Sequence, residues 1–514
     1  MSWRHTTGIG LNEDDAFVGL VDFGLFAEKV PPCFSSEGLA HKVPSAMAKI
    51  VVEANLDKLG KQIAKQSRGF MRYQALRDIN IPRHLGIPHP QSHLAQCLAI
   101  KRCWEQIKKH CAKPAQPVSR IFVRYTGTDR VFVMSYKGAE RLEVEEQEIN
   151  FATGASYVVH ADVSTCFPSI YTHSIPWAMH GRKKAKKARG DLSLAGNILD
   201  KATQAVRDSQ TNGLLIGPHT SNIIAELVLT STDSTLLKLG HRKITRHIDD
   251  YRFYARTHEE AEDFIRDLGM SLREFELSLN EKKNKILTLP RPQVENWVRE
   301  LGDFQWPSGL LRYATVRSFL DLALDLAQRS GTSATLNYAL KMVPARLNGR
   351  AKRLFVSEAV NLALSYPYLA PLLGDHVFAK HPQPGLKAII STFATELIQI
   401  GIRRIYPDAI AHALYYAIKH GVILNVTEAQ LRRILPIDDC ICDVLLLDYS
   451  TRQSLTKLAG SIKTRANNLK GLDSRDQDTF WLLIYQVWSV AELKGNGHEL
   501  LGDLKQKNFN FVRF

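Results

Sequence analysis

The sequence lacks the long apolar runs that a membrane-spanning helix requires. None of its 514 residues belongs to a stretch of about 18 uncharged apolar residues. The first residues, MSWRHTTGIGLNEDDAF, are polar and acidic, which is not the pattern of a secretory signal. We therefore expect a cytoplasmic protein with no membrane partner.

Cysteine is scarce as well, and its spacing excludes the common CxxC zinc-binding motifs. An odd number of irregularly spaced cysteines is typical of reduced thiols. Cys103, His110 and Cys111 are close enough in sequence to ligate zinc, but small buried thiols are the commoner arrangement. The seven cysteines are Cys33, Cys97, Cys103, Cys111, Cys166, Cys440 and Cys442.

Acidic residues are in deficit relative to basic ones. The chain has 67 Lys and Arg residues against 52 Asp and Glu, a net charge of +15, and its pI is about 9.4. Such a surplus favours a polyanionic partner, usually nucleic acid. A basic protein without such a partner would have the same composition, so charge alone does not decide between the two.

The hydrophobic pattern divides the chain into two regions. Up to residue 312, helical patterns alternate with strand patterns, and SRIFVRYTGTDRVFVMSY predicts a hairpin around TGTD. From residue 313 onward every pattern is helical, so we expect an α+β domain over 1–312 and an all-α domain over 313–514. Tyr366-Pro367 and Tyr406-Pro407 recur after about 40 residues, which is typical of HEAT-like helical repeats, although an ordinary helical bundle is equally compatible.

The stretch TRHIDDYRFYA, residues 245 to 255, predicts strand, turn and strand, with two aspartates at the turn. Asp249 and Asp250 cannot both be buried as anions unless a cation compensates them. Asp162 ends another hydrophobic strand, in YVVHADVSTCF. If the two strands are neighbours, three carboxylates converge and suit two magnesium ions about 3.5–4 Å apart. Taken singly, each aspartate fits an ordinary strand end or hairpin turn.

The order of motifs carries more information than any one of them. After Asp162 come Phe167 five residues on, the turn GPHTSN at 217–222, the Asp249-Asp250 pair, and SLNEKKNKI. This order resembles the palm of reverse transcriptases. The resemblance implies a reverse-transcriptase-like fingers-and-palm fold over 1–312, in which Asp162, Asp249 and Asp250 bind two Mg²⁺ ions, or Mn²⁺ in their place, and the Val163 carbonyl adds a ligand.

The same resemblance assigns roles to five more residues. Phe167 would be the steric gate that selects dNTPs, and Gly217 and Ser221 would lie against the nucleotide. Lys283 would donate a proton to pyrophosphate, and Arg83, in IPRHLG, would grip the triphosphate through its bidentate fork. Each has an ordinary alternative: Phe167 as a core residue, Lys283 as a solvated lysine, Arg83 as a helix cap or surface residue.

One position departs from the reverse-transcriptase pattern, and one stretch resembles a narrower group within that family. His247 stands two places before Asp249, where reverse transcriptases usually have an aromatic residue, so conventional primer handling is in doubt. The stretch YTHSIPW, residues 171 to 177, is absent from retroviral, retron and group II enzymes. It is similar to the bacterial abortive-infection (Abi) polymerases, the group that contains AbiK, which join a helical-repeat domain to the fingers and palm.

That narrower resemblance implies an unusual activity. These proteins polymerise dNTPs without a template, start from a protein hydroxyl, remain attached to the single-stranded DNA product, form homo-oligomers and act in phage defence. The resemblance does not identify the priming residue in this sequence, because no tyrosine precedes Tyr73. A template-dependent reverse transcriptase is the first alternative, and a catalytically inactive nucleic-acid-binding scaffold is the second.

Basic residues outside the motifs are compatible with a DNA product. The run RKKAKKAR, residues 182 to 189, would contact phosphates of the growing strand and make its retention salt-sensitive. A solvated, flexible loop is the alternative interpretation. In the helical region, Arg403, Arg404 and Lys419 are candidates for an exit path.

Overall fold

The computed structural model describes residues 2–3, 11–26, 28–43, 47, 55–78, 81–116, 118–123, 132–133 and 139–514. Over these ranges the chain is a mixed helix-and-strand protein, with strands in its first 288 residues and many helices in its C-terminal half. The strands are β1 Ser2–Trp3, β2 Phe70–Asp78, β3 Ile81–Pro88, β4 Phe122–Val123, β5 Phe132–Val133, β6 Tyr157–Asp162, β7 Ile244–His247, β8 Asp250–Ala255 and β9 Lys285–Thr288.

The α-helices up to residue 312 are mostly short. They span Glu13–Phe23, Leu56–Ala64, Pro90–Arg102, Trp104–Cys111, Ala139–Ala152, Cys166–Ser169, Ser174–His180, Arg182–Lys187, Ala195–Ala205, His219–Lys238, His258–Arg273 and Asn296–Gly302. The hairpin predicted around TGTD agrees with the antiparallel pairing of β4 with β5, while the turn itself lies outside the described residues.

From residue 313 onward the regular structure of the described chain is helical, as the sequence pattern predicts. The α-helices there span Tyr313–Ser330, Ala334–Met342, Gly349–Ser365, Ala370–Leu373, Leu386–Arg404, Pro407–His420, Glu428–Arg432, Cys440–Arg452, Thr456–Asn468, Ser474–Thr479, Trp481–Val487, Val490–Gly495 and Glu499–Gln506. Pro407 begins its helix, where the missing N–H costs nothing. The HEAT-like repeat and the domain boundary at 312 stay predictions.

A four-stranded antiparallel sheet, in the order β7-β8-β6-β9, positions the candidate site. Val159 and Phe253 are paired in register and fully buried, and Phe253 stacks on Phe264 of the helix His258–Arg273 with 4.4 Å between ring centroids. Burial of each such side chain contributes about 1.5–3 kcal/mol relative to exposure. The packing of this helix on β6 and β8 therefore fixes the positions of both strands, of which β6 ends at Asp162 and β8 begins at Asp250.

The first and last parts of the chain share one hydrophobic core. A buried carboxylate on the helix Pro407–His420 ties them together, because Asp408 accepts hydrogen bonds from the Tyr73 hydroxyl at 2.7 Å and the Leu76 N–H at 2.9 Å. Among the described helices, none combines the length and the apolar character needed to cross a membrane.

Candidate metal centre

Three aspartates meet at one end of the four-stranded sheet. Asp162, the last residue of β6, stands opposite Asp250, the first residue of β8, in the antiparallel register. Asp249 occupies the turn that joins β7 to β8. One carboxylate oxygen from each of the three lies within 4.8 Å of the other two. The pairing of β6 with β8 therefore brings together residues that are about 87 positions apart in the sequence.

The turn that carries Asp249 is held from both sides. Ile248 has a φ of 58°, a left-handed conformation that is strained for a β-branched residue. Its carbonyl oxygen accepts a hydrogen bond of 2.9 Å from Arg246 Nη1. On the other side, the Val163 N–H donates to the Asp249 carbonyl at 3.2 Å. These two bonds fix the backbone on either side of the Asp249 side chain.

Arg246 belongs to a fully buried charge cluster beneath the turn. It makes a bidentate ion pair with Glu226, both distances 2.9 Å, and a second with Asp233, the shortest contact 2.6 Å. The Tyr251 hydroxyl donates to Asp233 at 3.0 Å. Burial raises the pKa of Asp233. At Glu226 burial is the largest single influence and acts in the same direction, but the charge of Arg246 and the hydrogen bonds to Glu226 together lower the pKa. Removal of one partner from such a cluster leaves a buried charge unpaired, which is strongly destabilising.

Lys283 and Asn280 both contact the same oxygen of Asp162. Lys283 Nζ lies 3.0 Å from Asp162 Oδ2, and Asn280 Nδ2 donates to that oxygen at 2.9 Å. The Asn280 backbone N–H also donates to the Asp162 carbonyl at 2.8 Å. The segment after the helix His258–Arg273 thus delivers the predicted lysine to the aspartates, together with an asparagine to which the sequence interpretation gave no role.

Electrostatics at the three aspartates favours a cation. Burial, a hydrogen bond that protonated Asp250 donates to Asp162, and the charges of Asp249 and Asp162 raise the pKa of Asp250 to about 6. Burial and then the charge of Asp162 raise the pKa of Asp249, although Lys283 opposes this effect. Carboxylates that raise one another's pKa are stabilised as anions by a metal ion. An all-oxygen donor set suits Mg²⁺ or Mn²⁺ rather than a soft metal.

The other predicted site residues lie on several different elements of the fold. Phe167 is half-buried on the short helix Cys166–Ser169, and its carbonyl accepts a hydrogen bond of 2.7 Å from the Leu214 N–H. The neighbouring Cys166 thiol is close enough for Asp249 and Asp162 to raise its pKa, after the larger effect of burial. The residue directly before Phe167 is therefore within electrostatic range of the aspartates, whereas the role of Phe167 as a gate stays a prediction.

Arg83 faces the same region from the hairpin of β2 and β3. Burial is the largest influence on its lowered pKa, the charge of Arg77 adds to it, and Asp249 is the nearby anion that opposes both. The hairpin contacts the segment before the helix His219–Lys238, because the Gly86 N–H donates to the Ile216 carbonyl at 3.0 Å. Arg83 is thus within electrostatic range of Asp249 without forming an ion pair with it.

Gly217 and Ser221 belong to the turn and first helical residues after that segment. Gly217 has a φ of 133°, a conformation that favours glycine, and the buried Ser221 donates its N–H to the Pro218 carbonyl at 3.2 Å. Within the described ranges neither residue forms a hydrogen bond or ion pair with the three aspartates. Their nucleotide contacts, like the Val163 carbonyl as a metal ligand, stay predictions.

A basic cleft opens beside the aspartates. A cavity of about 710 Å³ is lined by Asp162 and Asp250 and continues past His160, Arg252 and Lys285 into a second cavity of about 960 Å³. Burial and the charges of Arg252, Arg291 and Lys285 lower the pKa of His160 to about 4. Three cations therefore lie within electrostatic range of this imidazole. The charge of the cleft, which leads away from the carboxylates, therefore favours binding of a polyanion.

Two further features differ from the expectations of the sequence or extend them. His247 pairs with Asp250 in the strand register, and burial lowers its pKa, so its imidazole is neutral at pH 7. The basic run RKKAKKAR is not a flexible loop, because Arg182–Lys187 is helical. Arg182 lies over the Trp177 ring at 4.4 Å and pairs with Glu276 at 2.9 Å, and these contacts order the segment.

Comparison with known proteins gives little further information. No protein-family model and no curated protein matches the chain. Among solved structures, telomerase from Candida albicans in complex with a fragment of telomeric RNA aligns with a TM-score of 0.27 and 8% identity. The alignment covers 67% of this chain and 65% of the telomerase chain, so this chain spans less than two thirds of it. A likeness at that level assigns no fold.

Proposed function

We propose that the protein is a magnesium-dependent DNA nucleotidyltransferase, a reverse-transcriptase-like polymerase that joins dNTPs by two-metal chemistry. One observation carries the proposal: the carboxylates of Asp162, Asp249 and Asp250 lie within 4.8 Å of one another at a strand end, with Lys283 against Asp162. A binding module has no use for clustered acids beside a basic cleft, since they repel phosphate unless a cation is bound.

Each residue of the site would have its own role in nucleotidyl transfer. Asp162 and Asp249 would hold both ions, and Asp250 and the Val163 carbonyl would complete the ligand set. When bound, magnesium lowers the pKa of the attacking hydroxyl and neutralises the leaving pyrophosphate. Lys283 carries the proton for the leaving group, and its place at Asp162 suits that role because it keeps the ammonium beside the reacting phosphates.

Arg83 and Phe167 would select and orient the nucleotide. Arg83, on the hairpin of β2 and β3, would bind the triphosphate from the side opposite the sheet, and its electrostatic coupling to Asp249 supports that position. Phe167, beside Cys166, would block a ribose 2′-hydroxyl. Gly217 would let the backbone approach the nucleotide closely, with Ser221 one turn further on.

We further propose that synthesis is template-independent and protein-primed, with the single-stranded DNA left covalently attached, and that the protein acts in phage defence as a homo-oligomer. The support is the YTHSIPW stretch and its similarity to abortive-infection polymerases, together with the helical C-terminal region. His247 in place of an aromatic residue agrees with unconventional priming. The basic cleft offers a path along which the product can leave the carboxylates.

The test uses nuclease-treated protein, Mg²⁺ and labelled dNTPs without template or primer. We expect a long labelled product whose mobility on a denaturing gel changes after proteolysis. The double variant Asp249→Asn, Asp250→Asn should make none, whereas the matched control Asp321→Asn, an exposed helical carboxylate, should match the parent. Synthesis only with an added RNA template and primer would instead establish a conventional reverse transcriptase. No synthesis under any condition, with nucleic-acid binding retained in the double variant, would establish a scaffold.

A further inference from the structure

A second group of metal-ligand atoms, separate from the three aspartates, lies where the segment around residue 89 packs against the C-terminal helices. His89 directly precedes the helix Pro90–Arg102, Asp478 belongs to the helix Ser474–Thr479, and His498 directly precedes the helix Glu499–Gln506. The side chains of both histidines are fully buried, and that of Asp478 is 3% exposed. Buried groups of this kind are normally paired, hydrogen-bonded or metal-bound.

The three side chains point one atom each at a common centre. His89 Nε2 and His498 Nδ1 are 3.4 Å apart, and Asp478 Oδ1 is 4.0 Å from each of them. The point equidistant from three atoms so placed lies about 2.2 Å from each, which is close to the Zn–N and Zn–O bond lengths of ~2.0–2.2 Å. The triangle therefore has the size of a zinc coordination sphere.

His498 is oriented as a ligand by its other nitrogen. His498 Nε2 lies 2.9 Å from Gln477 Oε1, and the Gln477 amide nitrogen donates to the carbonyls of Leu469 and Leu472 at 3.1 Å. These two bonds fix the amide so that its oxygen faces the imidazole, which must then donate from Nε2. The Nδ1 lone pair is left to face the centre, which is the arrangement found around metal-bound histidines.

Asp478 is oriented in the same way. Its Oδ2 accepts a hydrogen bond of 2.7 Å from the Gly69 N–H. Its Oδ1, although buried, accepts no hydrogen bond from any described residue, and the Arg68 guanidinium at 3.6 Å is too far away to donate one. A buried carboxylate oxygen without a hydrogen bond is costly. A ligand at the centre of the triangle would remove that cost.

We propose that His89 Nε2, His498 Nδ1 and Asp478 Oδ1 bind one Zn²⁺ ion, which joins the N-terminal region to the C-terminal helices. Two imidazoles and a carboxylate form a donor set that zinc accepts. Movement of Asp478 Oδ1 from 4.0 Å to the 3.4 Å that separates the two imidazole nitrogens would let the ion leave the plane of the three atoms and open a fourth tetrahedral position to water. Trp481 and Trp488 make T-shaped ring contacts with the two histidines at 6.1 Å, so aromatic rings flank the site. The site is independent of the three aspartates and of the proposed polymerase activity.

Without an ion, the same atoms form a hydrogen-bond relay. His89 Nδ1 accepts from the Gln91 N–H at 3.1 Å, which places the proton on Nε2, facing His498 Nδ1. Binding of zinc at His89 Nε2 would require that proton to move to Nδ1, which would end the bond from the Gln91 N–H.

The experiment uses the full-length protein with Asp249→Asn and Asp250→Asn, so that the aspartate site contributes little. The protein is loaded with Zn²⁺, desalted and measured by elemental analysis, and a parallel sample is loaded with Co²⁺ for visible spectroscopy. We expect about one zinc per chain, and in the cobalt sample the strong visible absorption of a tetrahedral site. Zinc near zero, or a cobalt spectrum like that of the aqueous ion, would overturn the proposal without any further variant.

A matched pair of variants locates the ion. Asp478→Asn removes the anionic ligand, and Asp408→Asn changes a different buried carboxylate that also ties the two ends of the chain together. We expect Asp478→Asn to retain at most about a tenth of the zinc and Asp408→Asn to retain all of it. Equal zinc in the two variants, both folded by circular dichroism, would place the ion elsewhere and overturn the assignment.

Discussion

The guanidinium of Arg246 donates a 2.9 Å hydrogen bond to the carbonyl oxygen of Ile248, the residue immediately before Asp249. A buried arginine, itself held by Glu226 and Asp233, therefore supports the strained turn that presents an aspartate. The turn keeps a left-handed β-branched residue because the surrounding contacts outweigh its strain. The geometry of the candidate site therefore depends on a buried ion-pair cluster in the protein interior.

We predict that Arg246→Lys lowers the free energy of unfolding by about 3–5 kcal/mol, because a lysine cannot pair with both buried carboxylates. Affinity for Mg²⁺ should fall as well, since the turn loses its support. Urea unfolding and Mg²⁺-dependent thermal shifts measure the two effects. Arg252→Lys is the control, because this half-exposed arginine lies 3.4 Å from Glu148 in a weak ion pair. Its substitution should lower the free energy of unfolding by at most about 1 kcal/mol. Equal stability of the two variants would contradict the prediction.

A second prediction concerns pH and the raised pKa of Asp250, about 6 in the folded protein. An unfolded aspartate ionises near pH 4, so between about pH 4 and 6 the native state binds more protons than the unfolded state. Without divalent ions the protein should therefore lose stability relative to Asp250→Asn as the pH rises through this window. Above it the difference should stay constant.

Mg²⁺ at pH 7 should reduce that difference, because the ion stabilises the ionised carboxylate in the parent but not the amide in the variant. Paired denaturant titrations of the parent and Asp250→Asn across the pH range make the comparison. A difference that is independent of pH would show that the Asp250 pKa is not raised in the native protein.

A third prediction separates two roles of Lys283, whose ammonium lies 3.0 Å from Asp162 Oδ2. Lys283→Ala should lower the rate of nucleotide incorporation by about 10²–10⁴-fold, the usual contribution of general acid catalysis. Lys283→Arg keeps the charge but does not give up a proton near neutral pH, so it should not recover the rate. Lys282→Ala, its exposed neighbour, serves as the control. Full activity in Lys283→Arg would make the residue an electrostatic partner only.

The fourth prediction concerns the basic cleft. Lys285→Ala should weaken binding of single-stranded DNA and reduce the slope of log K against log salt by about 0.7, the value for one phosphate contact. Lys285 lines both cavities beside the aspartates. Lys58→Ala, an exposed lysine on the helix Leu56–Ala64, should leave the slope unchanged. A change of slope in both variants would show that net charge rather than the cleft governs binding.

The sequence by itself determined the features that depend on neighbouring residues. Apolar residues in YVVHAD and TRHIDDYRFYA predict the strands, and the helical spacing from residue 313 onward predicts the helices found there, because side-chain periodicity is set by the local backbone. The candidate carboxylates could be named for the same reason, since an Asp-Asp turn between apolar strands already implies a compensating cation. For the basic run at 182–189 the sequence left open a phosphate-contacting segment or a solvated, flexible loop. The structure makes Arg182–Lys187 helical, with contacts to Trp177 and Glu276.

Only the tertiary structure decided which distant residues meet. Asp162 faces Asp250 because β6 pairs with β8 in one register, and a shift by one residue would turn its side chain to the other face. The burial of Arg246 and the meeting of His89 with His498 across 409 residues leave no signal in local periodicity. Long-range contacts depend on how whole elements pack, and a charged residue turned inward looks, in sequence, like one turned to solvent.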